Sequence, residues 1–139
     1  MTLGDLSFYV AMAGTVAFAV SAVLSVAERK VDLFAAIVLG TITAVGGGTV
    51  RDIILDVPVF WASEISYIWV SVAASVATFV AYRLFTQRHI HALFLYVDAL
   101  AIALFGIQAT GKVWDLGFGI PVAPAMLGVI TAIGGGLIR

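Results

Sequence analysis

The stretch LGTITAVGGGTVRD, residues 39–52, sets three consecutive glycines and an Arg51-Asp52 pair inside an otherwise apolar segment. The pattern returns as LGVITAIGGGLIR at residues 127–139, offset by 88 and identical at nine of thirteen positions. The chain is therefore read as a duplicated half, each copy carrying a glycine triplet followed by an arginine. The triplets are Gly46, Gly47 and Gly48, then Gly134, Gly135 and Gly136. Glycine costs about 1 kcal/mol relative to alanine inside a helix, so each triplet predicts a kink or an unwound turn. Backbone opened at membrane depth belongs where it is buried in protein or lines a watery cavity. The competing reading is close helix packing through small residues.

Composition sets the class. With 63% hydrophobic and 11% charged residues, the chain has too little polar surface for a soluble domain, where about 25% charged is usual. It reads as an all-α integral membrane protein. A net charge of -1 excludes the clustered basic footprint of a general nucleic-acid binder. The absence of cysteine excludes disulfides, thiolate metal sites and cysteine catalysis. The N-terminal apolar run is too long, and lacks the positive start, for a signal peptide.

Five apolar spans are expected, over about 6–27, 32–55, 65–85, 90–110 and from Pro121 onward. Ala13, Ala17, Ser21 and Ser25 recur every fourth position as a packing stripe in the first. Ser71, Ser75 and Thr78 share a face in the third and are read as bonding their own helix carbonyls. Trp61, Tyr67 and Trp69 at one end of that span, with Tyr82 and Phe85 at the other, suggest interfacial belts. Residues 111–119 read as a turn-rich link. If loops alternate sides, Arg29, Lys30, Arg83 and Arg88 share one side, which the positive-inside rule makes cytoplasmic, leaving the N-terminus outside the cell membrane. Three spans separate the starts of the two copies, so the repeat is inverted. Aligning Tyr9, Val10 and Phe18 with Tyr96, Val97 and Phe105, offset by 87, extends it into the first and fourth spans.

These residues resemble the bacterial and archaeal relatives of the trimeric intracellular cation channels, a family also described as containing proposed glycine transporters. The resemblance rests on GGGTVRD at 46–52, GGGLIR at 134–139, PVFW at 58–61, VDALAIALFG at 97–106 and the Gly111-Lys112 pair. It implies two inverted three-helix repeats plus a seventh helix, a homotrimer among membrane lipids, and a pore for a monovalent cation, potassium foremost, within each protomer. On that pattern residues 1–88 form the first repeat and 89–139 the second, interrupted within its second helix, with the sixth and seventh helices missing from the chain.

The candidate ion pathway comprises Gly46, Gly47, Gly48, Arg51, Asp52, Asp98, Gly134, Gly135, Gly136 and Arg139, with hydroxyls from Thr43 and Thr131. Opened glycine carbonyls would replace an ion's hydration shell. Arg51 is placed in the outer third of the membrane and Arg139 in the inner third, as guards of an hourglass cavity or as snorkelling cations. Asp52 lies about 100° round the helix from Arg51, making it a poor local partner and directing it toward another helix or the freed glycine amides. Asp98, near the centre of the fourth span, is either a pore carboxylate or a structural acceptor for fifth-span hydroxyls or amides. His89 and His91 fall on different helix faces with no third ligand, so neither a metal nor another cofactor is expected. No Ser-His-Asp arrangement or phosphate loop is legible, and no enzymatic activity is expected. The alternative to conduction is a secondary transporter holding a small zwitterion such as glycine at half-helix ends. A non-conducting scaffold is the third class.

Overall fold

The computed structural model describes residues 2–84 and 89–139, and every regular element among them is helical. The α-helices are α1 (Leu3–Ser25), α2 (Leu33–Ile54), α3 (Phe60–Ser63), α4 (Ser66–Leu84), α5 (Ile90–Asp115) and α6 (Val122–Ile138), with a 3₁₀ turn over Ala27–Arg29. Helices α1, α2, α4 and α5 are long and apolar enough to cross a membrane, and α6 is a shorter apolar helix. The chain is an all-helical, multi-pass membrane protein. Phe85 and Arg88, used above for the aromatic belt and the basic side, lie outside the described residues.

Local chemistry sets the helix ends. Thr2 and Asp5 form a capping box, with the Asp5 amide donating to Thr2 Oγ1 at 3.2 Å and the Thr2 amide to Asp5 Oδ2 at 2.8 Å. Helix α1 therefore starts three residues before position 6. Asp32 Oδ1 caps α2 by accepting from the Ala35 amide at 2.7 Å. Helix α5 runs on through Gly111 and Lys112 to Asp115, where a turn-rich link was expected. One glycine does not stop an otherwise helix-compatible run; the reversal waits for Gly117 and Gly119, whose φ values of 67° and 56° glycine adopts without strain. The loop after Pro58 contains the short helix α3. Tyr67, expected at an interface, is buried against Phe60 and Phe8, at ring-centroid distances of 4.8 and 5.8 Å. Ser71, Ser75 and Thr78 do bond carbonyls of their own helix.

Helix α1 is the hub, packing on α2, α4 and α5 and carrying ten buried residues to five on α5. Leu24 packs with Ile90, Ser21 bonds Asp98, and Phe18 meets Phe105, so α1 and α5 run antiparallel.

The glycine triplets do not unwind. Helices α2 and α6 pass through residues 46–48 and 134–136 as uninterrupted α-helix. The triplets instead let these two helices cross closely. A Cβ at Gly47 would collide with the Thr131 carbonyl oxygen, and one at Gly135 would stand 2.9 Å from the Thr43 carbonyl oxygen and 3.2 Å from the Phe18 ring. A Cβ at Gly134 would stand 3.2 Å from Gly47 Cα. The helix-propensity cost of glycine is thus offset by contact unavailable to any residue with a side chain, as in membrane helix packing generally. The expectation of opened glycine carbonyls is corrected accordingly.

The close crossing is reciprocal. Gly47 faces Thr131 while Gly135 faces Thr43, an exchange of positions 88 apart. Gly40 lies against the Ala19 carbonyl oxygen and Gly128 against that of Gly106, and Ala19 and Gly106 are 87 apart. Phe18 and Phe105, also 87 apart, touch each other with ring centroids at 5.2 Å.

Gly47→Ala and Gly135→Ala should each lower stability by about 1–3 kcal/mol, the usual range for overpacking. Gly111→Ala should be neutral or stabilise by up to about 1 kcal/mol, because nothing lies within 4 Å of a Cβ there. Thermal unfolding in detergent reads the difference.

Candidate functional site

Two ionic clusters sit toward opposite ends of α5. In the first, near the C-terminal end of α2, Arg51 and Asp52 are 1% and 0% exposed. Arg51 Nε donates to Asp52 Oδ1 at 2.8 Å, and one of its terminal nitrogens donates to Gln108 Oε1 at 2.8 Å. Asp52 also accepts from Lys112 Nζ through Oδ1 at 2.8 Å and from the Phe60 amide through Oδ2 at 2.9 Å. The Phe60 ring lies 5.8 Å from Arg51 Cζ. Asp52 does reach other elements, as expected, but it also bonds its neighbour Arg51. The long guanidinium side chain spans the 100° that separates the two positions, since one buried carboxylate at the α2–α3–α5 corner is its available counter-ion. Burial makes that pairing obligatory, because an unpaired charge there would carry the full desolvation cost.

In the second cluster Arg139 pairs with Asp98 Oδ1 at 2.5 Å, their side chains 12% and 17% exposed. The same guanidinium nitrogen donates to Ser21 Oγ at 2.6 Å, and Ser21 Oγ lies 3.3 Å from Asp98 Oδ1. The ring of Phe94 is 5.0 Å from Arg139 Cζ. Asp98 stands eight residues from the start of α5 and seventeen from its end, so it lies toward one end rather than at the centre expected. Its partners are a guanidinium and an α1 hydroxyl, not hydroxyls or amides of α6.

The clusters obey the same reciprocity as the glycines. Arg51 bonds Gln108, and Arg139 bonds Ser21, which precedes Gln108 by 87 positions. Along α5 the ten residues from Asp98 to Gln108 span about 15 Å at 1.5 Å per residue. Between them lie Phe18, Phe105 and the glycine crossing. Thr43 and Thr131 are fully buried there. Thr131 Oγ1 donates to the Leu127 carbonyl at 2.7 Å, whereas Thr43 Oγ1 has no hydrogen-bond partner among the described residues. A buried hydroxyl without a partner is costly and uncommon.

The structure brings together Arg51 with Asp52, Arg139 with Asp98, and Gly47, Gly134, Gly135, Thr43 and Thr131 at the crossing. It does not place the whole set in one site. Gly48 packs on Phe60, Gly46 on Ile138, and a Cβ at Gly136 would have ordinary room, 3.7 Å from Arg139. Sequence reasoning missed Gln108, Lys112 and Phe94, and took Ser21 as packing alone. The offset of 87, which already paired Phe18 with Phe105, also pairs Ser21 with Gln108, two polar residues in apolar spans. No group of three or more metal-ligating side chains is found among the described residues.

Comparison with known proteins sets this geometry in context. The family described as Glycine transporter matches residues 8–83 and 95–139. The chain is 38% identical over 136 residues to the UPF0126 inner membrane protein YadS of Escherichia coli strain K12, covering 96% of this chain and 64% of YadS. It is 35% identical over 139 residues to a UPF0126 membrane protein of Vibrio cholerae serotype O1, covering 97% of this chain and 56% of that protein. The chain thus spans less than two thirds of the length of these curated relatives. Among solved structures, it superposes on the TRIC trimeric intracellular cation channel orthologue from Rhodobacter sphaeroides with a TM-score of 0.88 at 31% identity, covering 96% of this chain and 68% of that one. For a prokaryotic TRIC channel in 0.5 M KCl the TM-score is 0.91 at 26% identity, covering 99% and 70%.

Asp52→Asn leaves Arg51 without its buried counter-ion and should cost about 3–5 kcal/mol. Lys112→Met should cost clearly less, because Lys112 is 29% exposed and Asp52 keeps Arg51 and the Phe60 amide. Denaturant or thermal unfolding of the two variants in detergent checks the ranking.

Proposed function

The chain belongs to the family described as Glycine transporter, and from that membership, its TRIC-like fold and its paired buried cations we propose that it forms a passive pathway for monovalent cations. The observation that carries this reading is the pair of guanidiniums, each neutralised by a carboxylate, at two levels of one helical bundle. Ionisable groups inside membrane-spanning segments are expensive and mark ion routes by default. A bare guanidinium would repel a cation, whereas a paired one can exchange partners as the ion passes. In the conformation seen here the pairs are closed, and the route runs between α1, α2, α5 and α6 past Thr43, Thr131 and the Gly46–Gly48 and Gly134–Gly136 segments. Potassium is the ion assigned.

The two halves, residues 1–88 and 89–139, are read as inverted repeats about an axis between Phe18 and Phe105, supported by the reciprocal contacts of Gly47 with Thr131 and Gly135 with Thr43. The N-terminus is assigned to the outside, with Arg29, Lys30 and Arg83 facing the cytoplasm. The protein is assigned as a non-enzymatic homotrimer with a pathway in each protomer. The transporter reading draws on the family's description, and on helix ends that could hold a small zwitterion.

Reconstituted in planar bilayers under a potassium gradient, the protein should give ohmic single-channel steps reversing near the potassium equilibrium potential. Saturable glycine uptake with counterflow and no steps would establish the transporter instead, and neither signal would leave a scaffold. Asp98→Asn retains size and hydrogen bonding while deleting the charge that balances Arg139. It should reduce conductance or cation selectivity severalfold with assembly unchanged by native mass spectrometry. Unchanged conductance and selectivity would return Asp98 to a structural role.

A further inference from the structure

Two cavities adjoin where α1 ends and α5 begins, and neither is lined by the paired arginines or their carboxylates. The first, about 380 Å³, carries Glu28, Arg29 and His91 on its walls, with Phe94 behind them. The second, about 620 Å³, lies among α1, α4 and α5 and is lined chiefly by apolar groups, including Val20, Ala77, Ala81 and Leu93. Leu24 and Ile90 line both, so the cavities share a wall. Each volume falls in the roughly 300–1,000 Å³ range of ligand pockets. Among the described residues neither Glu28 nor Arg29 has an ion-pair partner.

We propose that the two cavities form one site for a zwitterionic phospholipid of the ethanolamine type, its headgroup in the charged cavity and an acyl chain in the apolar one. Arg29 suits the phosphodiester, which a guanidinium can hold through charge-assisted hydrogen bonds. Glu28 suits the ammonium, and His91 adds a ring nitrogen for the phosphate. The adjoining apolar cavity selects a lipid over a free zwitterion, because a free phosphoethanolamine would leave it unfilled. Phe94 forms the inner wall of the charged cavity and rests against Arg139, so the headgroup sits one aromatic ring away from the Arg139–Asp98 pair.

Native mass spectrometry of the detergent-solubilised protein tests this with dioleoylphosphatidylethanolamine, dioleoylphosphatidylglycerol and free phosphoethanolamine as probes. The ethanolamine lipid should bind at least tenfold more tightly than either other probe. Arg29→Gln and Glu28→Gln, at exposed positions that leave the fold intact, should each weaken it severalfold. Ala77→Phe, which fills the apolar cavity, should do the same without touching the charged one. Equal binding of the glycerol lipid would overturn the role of Glu28 and with it the proposal. Free phosphoethanolamine binding as tightly as the lipid, or unaltered lipid binding in Arg29→Gln, would overturn it equally. The readout is binding alone, so it stands or falls separately from conduction.

Discussion

The close crossing of α2 and α6 is the constraint on which the rest of the molecule depends. Two helices whose glycines meet the partner's backbone at Thr131 and Thr43 are held against sliding by a helical turn, since that shift would bring the side chain of Thr43 or Arg51 into the place of Gly47. That crossing fixes where Arg51 and Arg139 leave their helices. It also leaves room for Phe18 to reach Gly135 and pack against Phe105. Without a hydrophobic driving force between helices in lipid, such backbone-to-backbone contact is a principal source of association.

Electrostatics then follows from burial. Arg51 cannot be left unpaired at 1% exposure, and the carboxylate that satisfies it also gathers Lys112 and the amide that opens α3. One buried acid thereby joins α2, α3 and α5. The second cluster is leaner, with one carboxylate, one guanidinium and one hydroxyl linking α1, α5 and the end of α6. Arg51 and Arg139, with their polar partners Gln108 and Ser21, stand at matched positions, but the carboxylates do not: counted back by 87, Asp98 falls on Ala11. Cluster identity is therefore a property of neighbours, not of the repeat.

The two clusters and the crossing also divide the interior into zones. The centre is tight and nearly apolar apart from the Thr43 and Thr131 hydroxyls, while the charges stand on either side of it. The cavities lie outside this axis, beside the C-terminal end of α1. Among the described residues the Thr43 hydroxyl in this centre has no hydrogen-bond partner.

The membrane class, the helical spans and the duplication were legible in the sequence, because they rest on composition, on span length and on a repeat with a constant offset. Arg51, Asp52, Asp98 and Arg139 were legible as well, since charge within an apolar span is conspicuous in one dimension. What the glycine triplets do was decided only by the tertiary structure. Local propensity weighs the cost of glycine within one helix, whereas the compensating contact comes from a second helix 88 residues away. Asp98 was legible as a counter-charge for Arg139, but the pairing around Asp52 was invisible. Helical angle argued against an Arg51–Asp52 bond, and Lys112 was assigned to a turn, but burial at a three-helix corner brought all three together. The partner of a buried charge is whatever the fold places within its reach, and that distance is not written along the chain.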